Sequence, residues 1–268
     1  MTNMRKTMVT GKAIRELILE HSYRAGVGHI GSNLSIADII ATLYSQFLNC
    51  ADSDAKECDA FILSKGHAAL ALYAALYLYG DISRESLDTF CQDGTRLGVH
   101  PEYQLRGVEF STGSLGMGLS YAVGMALALR LQDRGRKVYV LLSDGECNEG
   151  STWEGAMVAA HQGLDHLTAL VDVNGQQALG YTREVIGNAA ATPRWSAFGW
   201  DAVEVDGHDV AAMAQAIRRP RDGRPRVLLC RTIFGRGVSF MEGKIAWHYL
   251  PVDDTQFAQA LQDIERLA

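Results

Sequence analysis

Residues 138–177 read VYVLLSDGECNEGSTWEGAMVAAHQGLDHLTALVDVNGQQ. A run of β-branched and apolar residues ends in Ser143-Asp144-Gly145. A segment of helical period follows, and a second apolar run, 167–171, ends in Asp172-Val173-Asn174. Strand, helix, strand in this order predicts two parallel strands joined by a crossover. Parallel strands end at the same edge of their sheet, so Asp144 and Asn174 are expected side by side. That edge is where open α/β sheets bind ligands. Mg2+ takes oxygen ligands in octahedral geometry and usually shares its shell with a phosphate-bearing ligand. The Asp144 carboxylate, the Asn174 side-chain oxygen and a nearby backbone carbonyl make half such a shell. A diphosphate and a water would complete it.

The turn between strand and helix contains Gly145 and Gly150, which let backbone N–H groups approach a phosphate. Ser151-Thr152-Trp153-Glu154 has the S-x-x-E form of a capping box. Trp153, Ala156, Met157 and Ala160 then share the face expected to pack on the sheet.

Outward from this unit the same alternation continues. Helical periods fall near 10–21, 35–47, 66–79, 118–133, 151–163, 209–218 and 254–267. In the last, Phe257, Ala260, Leu261 and Ile264 share a face, with Asp253 or Asp254 as N-cap. Short apolar runs predict strands near 60–63, 138–142, 167–171, 201–205 and 226–231. The fold class is α/β: a doubly wound, mostly parallel sheet with helices on both faces. No repeat or Pro/Ser-rich linker interrupts the chain, so residues 1–268 are expected to form a single domain.

The chain has 268 residues, 47% of them hydrophobic, which is ample for one buried core. With 25 basic residues against 31 acidic ones, the formal charge is −6, which speaks against nucleic acid as the main partner. The basic segment RRPRDGRPR at 218–226 reads as a solvated turn. The five cysteines show no CxxC pair and read as reduced thiols of a cytoplasmic protein. No apolar stretch is long enough to span a bilayer. AALALYAALYLY at 68–79 reads as a buried or interface helix.

His21, His161, His166 and His208 carry no motif and are expected to be structural. His29 lies in GVGHIGSNLSIADI, His67 in LSKGHAALALYAAL, and His100 in GVHPEYQLRGVEFSTGSLGMG. These three segments, the DG followed about thirty residues later by Asn, and the GRGVSFMEG…WH segment occur in the order of the transketolase family. The chain resembles that family's N-terminal, diphosphate-binding domain. Ser143 departs from the pattern, which usually has Gly there.

The resemblance implies the cofactor thiamine diphosphate (ThDP), with Mg2+ held by Asp144, Asn174 and the Gln176 backbone carbonyl. It implies that His29, His67, His100 and His248 surround the substrate or the cofactor as catalytic groups. His67, Gly113, Ser114, Leu115, Asp144, Gly145, Glu149, Glu154, Asn174 and His248 would contact the cofactor or flank it. Glu149 and Glu154 match acidic residues at the family's dimer interface. The activity implied is transfer of a two-carbon ketol unit from a ketose, by default a sugar phosphate or otherwise modified sugar, to an aldose. The family's pyrimidine-binding domain supplies a glutamate to the cofactor's second ring. That domain and the family's C-terminal domain find no counterpart here. The expected partner is therefore a second, C-terminal transketolase-like subunit in an α2β2 assembly, with helix 68–79 as a candidate contact. The α chain of a 2-oxoacid dehydrogenase shares the DG…N pattern, but the three histidine segments decide against it. A non-catalytic homologue would show eroded ligands, and these are intact.

Overall fold

The structure is a computed structural model and describes residues 9–48, 58–187 and 189–267. Five parallel strands form its sheet: β1 (Ala60–Leu63), β2 (Val138–Ser143), β3 (Leu167–Val173), β6 (Asp201–Asp206) and β7 (Arg226–Arg231). Their spatial order is β1-β2-β3-β7-β6. A two-stranded ribbon, β4 (Gln176–Gln177) with β5 (Gly180–Tyr181), follows β3 directly. The five predicted strands are the five strands of the sheet. The ribbon is too short to leave a pattern in the sequence.

Successive side chains of a strand face opposite sides of a sheet, and the core divides accordingly. Phe61, Tyr139, Leu141, Leu170 and Leu228 face one helix layer. That layer holds α1 (Gly11–Ala25), α3 (Ala37–Gln46), α4 (Ala69–Tyr79), α10 (Val210–Arg218) and α11 (Asp254–Glu265). Ile62, Val140, Leu142, Ala169 and Val227 face the other. There lie α6 (Met117–Leu131), α7 (Gly150–His161) and α9 (Thr192–Ala197). Three short helices, α2 (Ile30–Ser35), α5 (Arg84–Leu87) and α8 (Thr182–Val185), complete the set among the described residues. The sheet is thus buried on both faces, as a parallel sheet must be.

The helix ends follow local chemistry. Thr10 caps α1 through Ala13 N–H, and Gly26 ends it at φ 63°. Asp209 caps α10. Asp253 caps α11 in a reciprocal box with Gln256, as the acidic pair in the sequence predicts.

Four expectations need correction. The capping box at Ser151–Glu154 does not form: α7 begins at Gly150, and the Ser151 hydroxyl donates to the Gly116 carbonyl instead. Of its predicted sheet face, Ala156 is buried and Trp153 and Ala160 pack against the same core, but Met157 is half exposed, and Thr152, Gly155 and Ala159 complete the buried side. The basic turn is only partly solvated. Arg226 is buried, pairs with Asp201, and donates to the carbonyls of Ala216 and Ile217 in the last turn of α10 and of Arg219 and Pro220 just beyond it. Helix 68–79 is the buried helix that one of its two readings expected, and with residues 69–76 all packed within the chain it offers no free face there as a partner contact. Cys58 is disulfide-bonded, against the expectation of reduced thiols, while Cys91, Cys147 and Cys230 are free. No helix among the described residues is long and apolar enough to cross a membrane.

Candidate active site

The strand register places Ser143 opposite Asp172, and Asp144 N–H donates to the Asp172 carbonyl at 3.1 Å. Asp144 and Asn174 therefore leave the sheet at one edge, as predicted. Asp144 is buried. Its Oδ2 accepts the Gly175 N–H at 3.0 Å and the Thr182 hydroxyl at 2.8 Å. Its Oδ1 is buried without a hydrogen-bond partner. Burial, and then the nearby Asp172, push the Asp144 carboxyl up to about 6, although the two hydrogen bonds oppose them. A buried acceptor with no donor leaves a desolvation cost unmet, and a cation at Oδ1 would meet it. Asn174 Oδ1 accepts the Gln176 N–H at 2.9 Å, a local turn in which Gly175 takes φ 76°. The donor set of a carboxylate, an amide oxygen and a peptide carbonyl is all oxygen, as Mg2+ requires.

Ser143 closes β2 in extended backbone, where any residue fits, so replacing the family's glycine costs nothing. Its N–H donates to Glu146 Oε2 at 2.9 Å. Glu146 is fully buried, and its Oε1 takes the Ser64 hydroxyl at 2.5 Å and the Gly116 N–H at 3.0 Å. Three loops are drawn together by this one carboxylate. Gly116 sits at φ 80°, where a Cβ would lie 2.6 Å from Ser151 Oγ, so a glycine is needed to seat the loop ahead of α6.

Above this edge lies a cleft of about 400 Å3. His29, His67 and His248 all line it. Their ring centroids are 5.8 Å (His29–His67), 5.2 Å (His29–His248) and 5.8 Å (His67–His248) apart. His29 adopts φ 60° ahead of α2, and its Nδ1 is buried without a partner. His67 follows Gly66 in a single 3₁₀ turn, with Nε2 2.9 Å from Ser32 Oγ. His248 stacks on Phe234. Burial lowers the pKa of all three: His67 falls well below the ordinary range, and His248 falls to about 4. Neighbouring imidazoles and Lys65 add to the effect on His67 and His248. All three are neutral near pH 7, each with one donor and one acceptor nitrogen.

Gly113, Leu115, Gly145, Glu149, Asn174 and Gln176 also line the cleft. His100 stands at its rim, exposed, its ring 3.3 Å from where a Gly113 Cβ would be. Ser114 and Glu154 are exposed and outside the lining. Glu154 points away because it lies on the face of α7 opposite the sheet. The remaining histidines are structural or peripheral: His21 bonds Leu17 O and Asp88, His208 bonds Asp38 and Ile233 N–H, His166 bonds Ala126 O, and His161 is exposed.

Residue patterns alone passed over Lys65, Glu146, Asp172 and Phe234. Lys65 stands two places before His67, and Asp172 two places before Asn174. That adjacency to a motif was the available signal.

The family described as "Transketolase, thiamine diphosphate binding domain" matches residues 5–264. The 6-deoxy-6-sulfo-D-fructose transketolase subunit SqwG of Clostridium sp. (strain MSTE9) is 40% identical over 258 residues, covering 94% of this chain and 94% of that protein. An apulose-4-phosphate transketolase subunit of Phocaeicola vulgatus is 38% identical, covering 93% of this chain and 90% of that protein. The solved transketolase of Leishmania mexicana superposes with a TM-score of 0.88 at 26% identity, over 98% of this chain but 41% of that one. The chain thus spans nearly the whole of the subunit relatives and about two-fifths of the solved transketolase.

Proposed function

Because this chain belongs to the transketolase thiamine-diphosphate-binding family, we propose that it is the N-terminal subunit of a two-chain, Mg2+- and ThDP-dependent transketolase. The reaction is transfer of a two-carbon ketol unit from a ketose to an aldose. The observation that carries this reading is the buried, unpartnered Oδ1 of Asp144 at the strand edge, between Ser143 and Gly145, which both line the cleft walled by three imidazoles.

Asp144, Asn174 and the Gln176 carbonyl would hold Mg2+. Gly145 and the 113–116 loop leave room for the diphosphate and for close contact beneath the cofactor's rings. When bound, ThDP supplies a carbon nucleophile and an electron sink for breaking and forming a C–C bond next to a carbonyl. The chain's own contribution is acid–base and electrostatic. A neutral imidazole donates a hydrogen bond to a substrate oxygen as negative charge grows there, and accepts a proton from a hydroxyl. His29, His67 and His248 are grouped closely enough to serve neighbouring oxygens of one sugar. His100 at the rim is placed for an oxygen further from the cofactor. Phe234, buried in the cleft wall, gives it an apolar side.

The substrate is a ketose with an anionic terminus, a phosphate or a comparable group, in keeping with the names of the two subunit relatives. The partner is a C-terminal transketolase-like subunit in an α2β2 assembly. The test is to purify the chain together with that partner, then to screen ketose donors against aldehyde acceptors, with and without ThDP and Mg2+. Absence of cofactor-dependent ketol transfer across phosphorylated and sulfonated ketoses would refute the proposal.

A further inference from the structure

Lys65 is fully buried, and so is the carboxylate it meets. Lys65 Nζ donates to Asp172 Oδ2 at 2.5 Å and to the Ser32 carbonyl at 3.2 Å. Asp172 collects three further donors: Ser35 Oγ and Asn174 Nδ2, each at 2.8 Å from Oδ2, and Thr232 Oγ1 on Oδ1. A buried ion pair is weak evidence for stability, because apolar residues of similar volume often serve as well. Its position beside the cleft calls for another cause.

Asn174 supplies one. The oxygen and nitrogen ends of an amide side chain have nearly the same shape, and neighbours decide which way it lies. A carboxylate only accepts, so Asp172 draws Nδ2. The Gln176 N–H only donates, so it draws Oδ1 at 2.9 Å. On the opposite side, Ser32 receives Lys65 on its carbonyl and places its hydroxyl 2.9 Å from His67 Nε2. An unbroken line of contacts therefore runs Asn174–Asp172–Lys65–Ser32–His67.

We propose that Lys65 and Asp172 are positioning residues: the pair fixes which end of the Asn174 amide is available to a cation, and ties that ligand to His67. The inference rests on the reading of the cleft as a Mg2+–ThDP site. Lys65 borders the cleft, but its side chain, like that of Asp172, is fully buried. Both act through the groups they orient.

The test is calorimetric titration of Mg2+ into the full two-chain assembly at saturating ThDP, alongside thermal melts. Lys65→Met or Asp172→Asn alone leaves a buried charge unpaired and threatens the fold. The double variant Lys65→Met/Asp172→Asn removes both charges at similar volume. It is expected to melt near wild type yet bind Mg2+ roughly 10–100-fold more weakly, the usual worth of an outer partner of a metal ligand. Wild-type affinity in the double variant would overturn the inference. A second variant covers failure of the first to fold. Asn174→Asp alters only a half-buried side chain and installs what is ordinarily a better Mg2+ ligand. With Asp172 behind it, the new carboxylate has no hydrogen to give, so Mg2+ binding should weaken at least roughly tenfold. Equal or tighter binding would overturn the inference. Failure of the wild type itself to bind Mg2+ and ThDP would overturn the underlying reading as well, and the wild-type titration distinguishes the two.

Discussion

Asp144 Oδ2 accepts the Gly175 N–H at 3.0 Å, so the carboxylate that ends one strand is held by the turn that ends its neighbour. Thr182 takes the same oxygen, and Oδ1 is left buried and unpaired. Asp144→Ala and Asn174→Ala should each abolish Mg2+-dependent ThDP binding while the sheet survives. Calorimetry with and without a chelator reads this directly. Unchanged affinity in both variants would sink the metal assignment.

Glu146 gathers Ser143 N–H, Gly116 N–H and the Ser64 hydroxyl without reaching solvent. Glu146→Ala strands two buried N–H groups, each costing about 1–3 kcal/mol. For a domain of this size that lowers the melting temperature by roughly 5–15 °C. ThDP binding should weaken too, because the 113–116 loop loses its anchor. A variant melting within a degree of wild type would show that the three loops are held by other contacts.

How far the sequence was legible follows from what each feature depends on. The five strands and seven long helices were readable because each is an apolar run or a helical period with a local stop, such as Asp253 or Gly26. Asp144 and Asn174 were readable because strand–helix–strand fixes their edge. The α7 start was not, because Ser151 had a better tertiary partner in Gly116 O than its own helix end. Lys65, Glu146 and Asp172 were not, because their partners lie 107, 82 and 137 positions away, at Asp172, Ser64 and Ser35 respectively. Arg226 looked like part of a charged turn, and only folding brings α10's last carbonyls around it.

His29 combines a side chain proposed to be catalytic with a left-handed backbone at φ 60°. Asn tolerates that conformation well, so His29→Asn removes the imidazole without adding strain. His29→Asn, His67→Ala and His100→Ala should all keep ThDP binding and lose ketose turnover at least roughly tenfold. Steady-state rates alongside cofactor titrations check this. A variant turning over at the wild-type rate returns that histidine to a structural role.

His248 predicts an acid limb in the stability of the chain. Burial holds its folded pKa at about 4 against an ordinary 6.5, so between those values the unfolded state binds more protons. Stability present above pH 6.5 is therefore lost as pH falls toward 4, by about 3 kcal/mol at most. His248→Gln should remove its share of this limb in thermal melts, leaving the part that the buried His29 and His67 contribute. An identical limb in the variant would place the effect elsewhere.

The last prediction is that the chain alone is inactive and gains activity with a second polypeptide. The cleft's outer rim is apolar and open: Leu179 is 85% exposed and Ile186 68% exposed, and both line it. Exposed apolar groups of this size around a binding site mark a surface that another chain covers. The transketolase resemblance adds a chemical need, a glutamate that bonds the cofactor's second ring. Neither glutamate near the cleft meets it. Glu146 is committed to three donors beneath the floor, and Glu149 stands exposed at the edge. A missing acid–base carboxyl group is worth roughly 10²–10⁴ in rate, which would leave the lone chain near background. Adding the C-terminal transketolase-like partner should restore turnover and bury Leu179 and Ile186, so Leu179→Asp/Ile186→Asp should weaken assembly while sparing the fold. Activity assays and sedimentation, before and after adding the partner, read both effects. Full ketol transfer by the chain alone, sedimenting as a single species, would refute the two-chain reading.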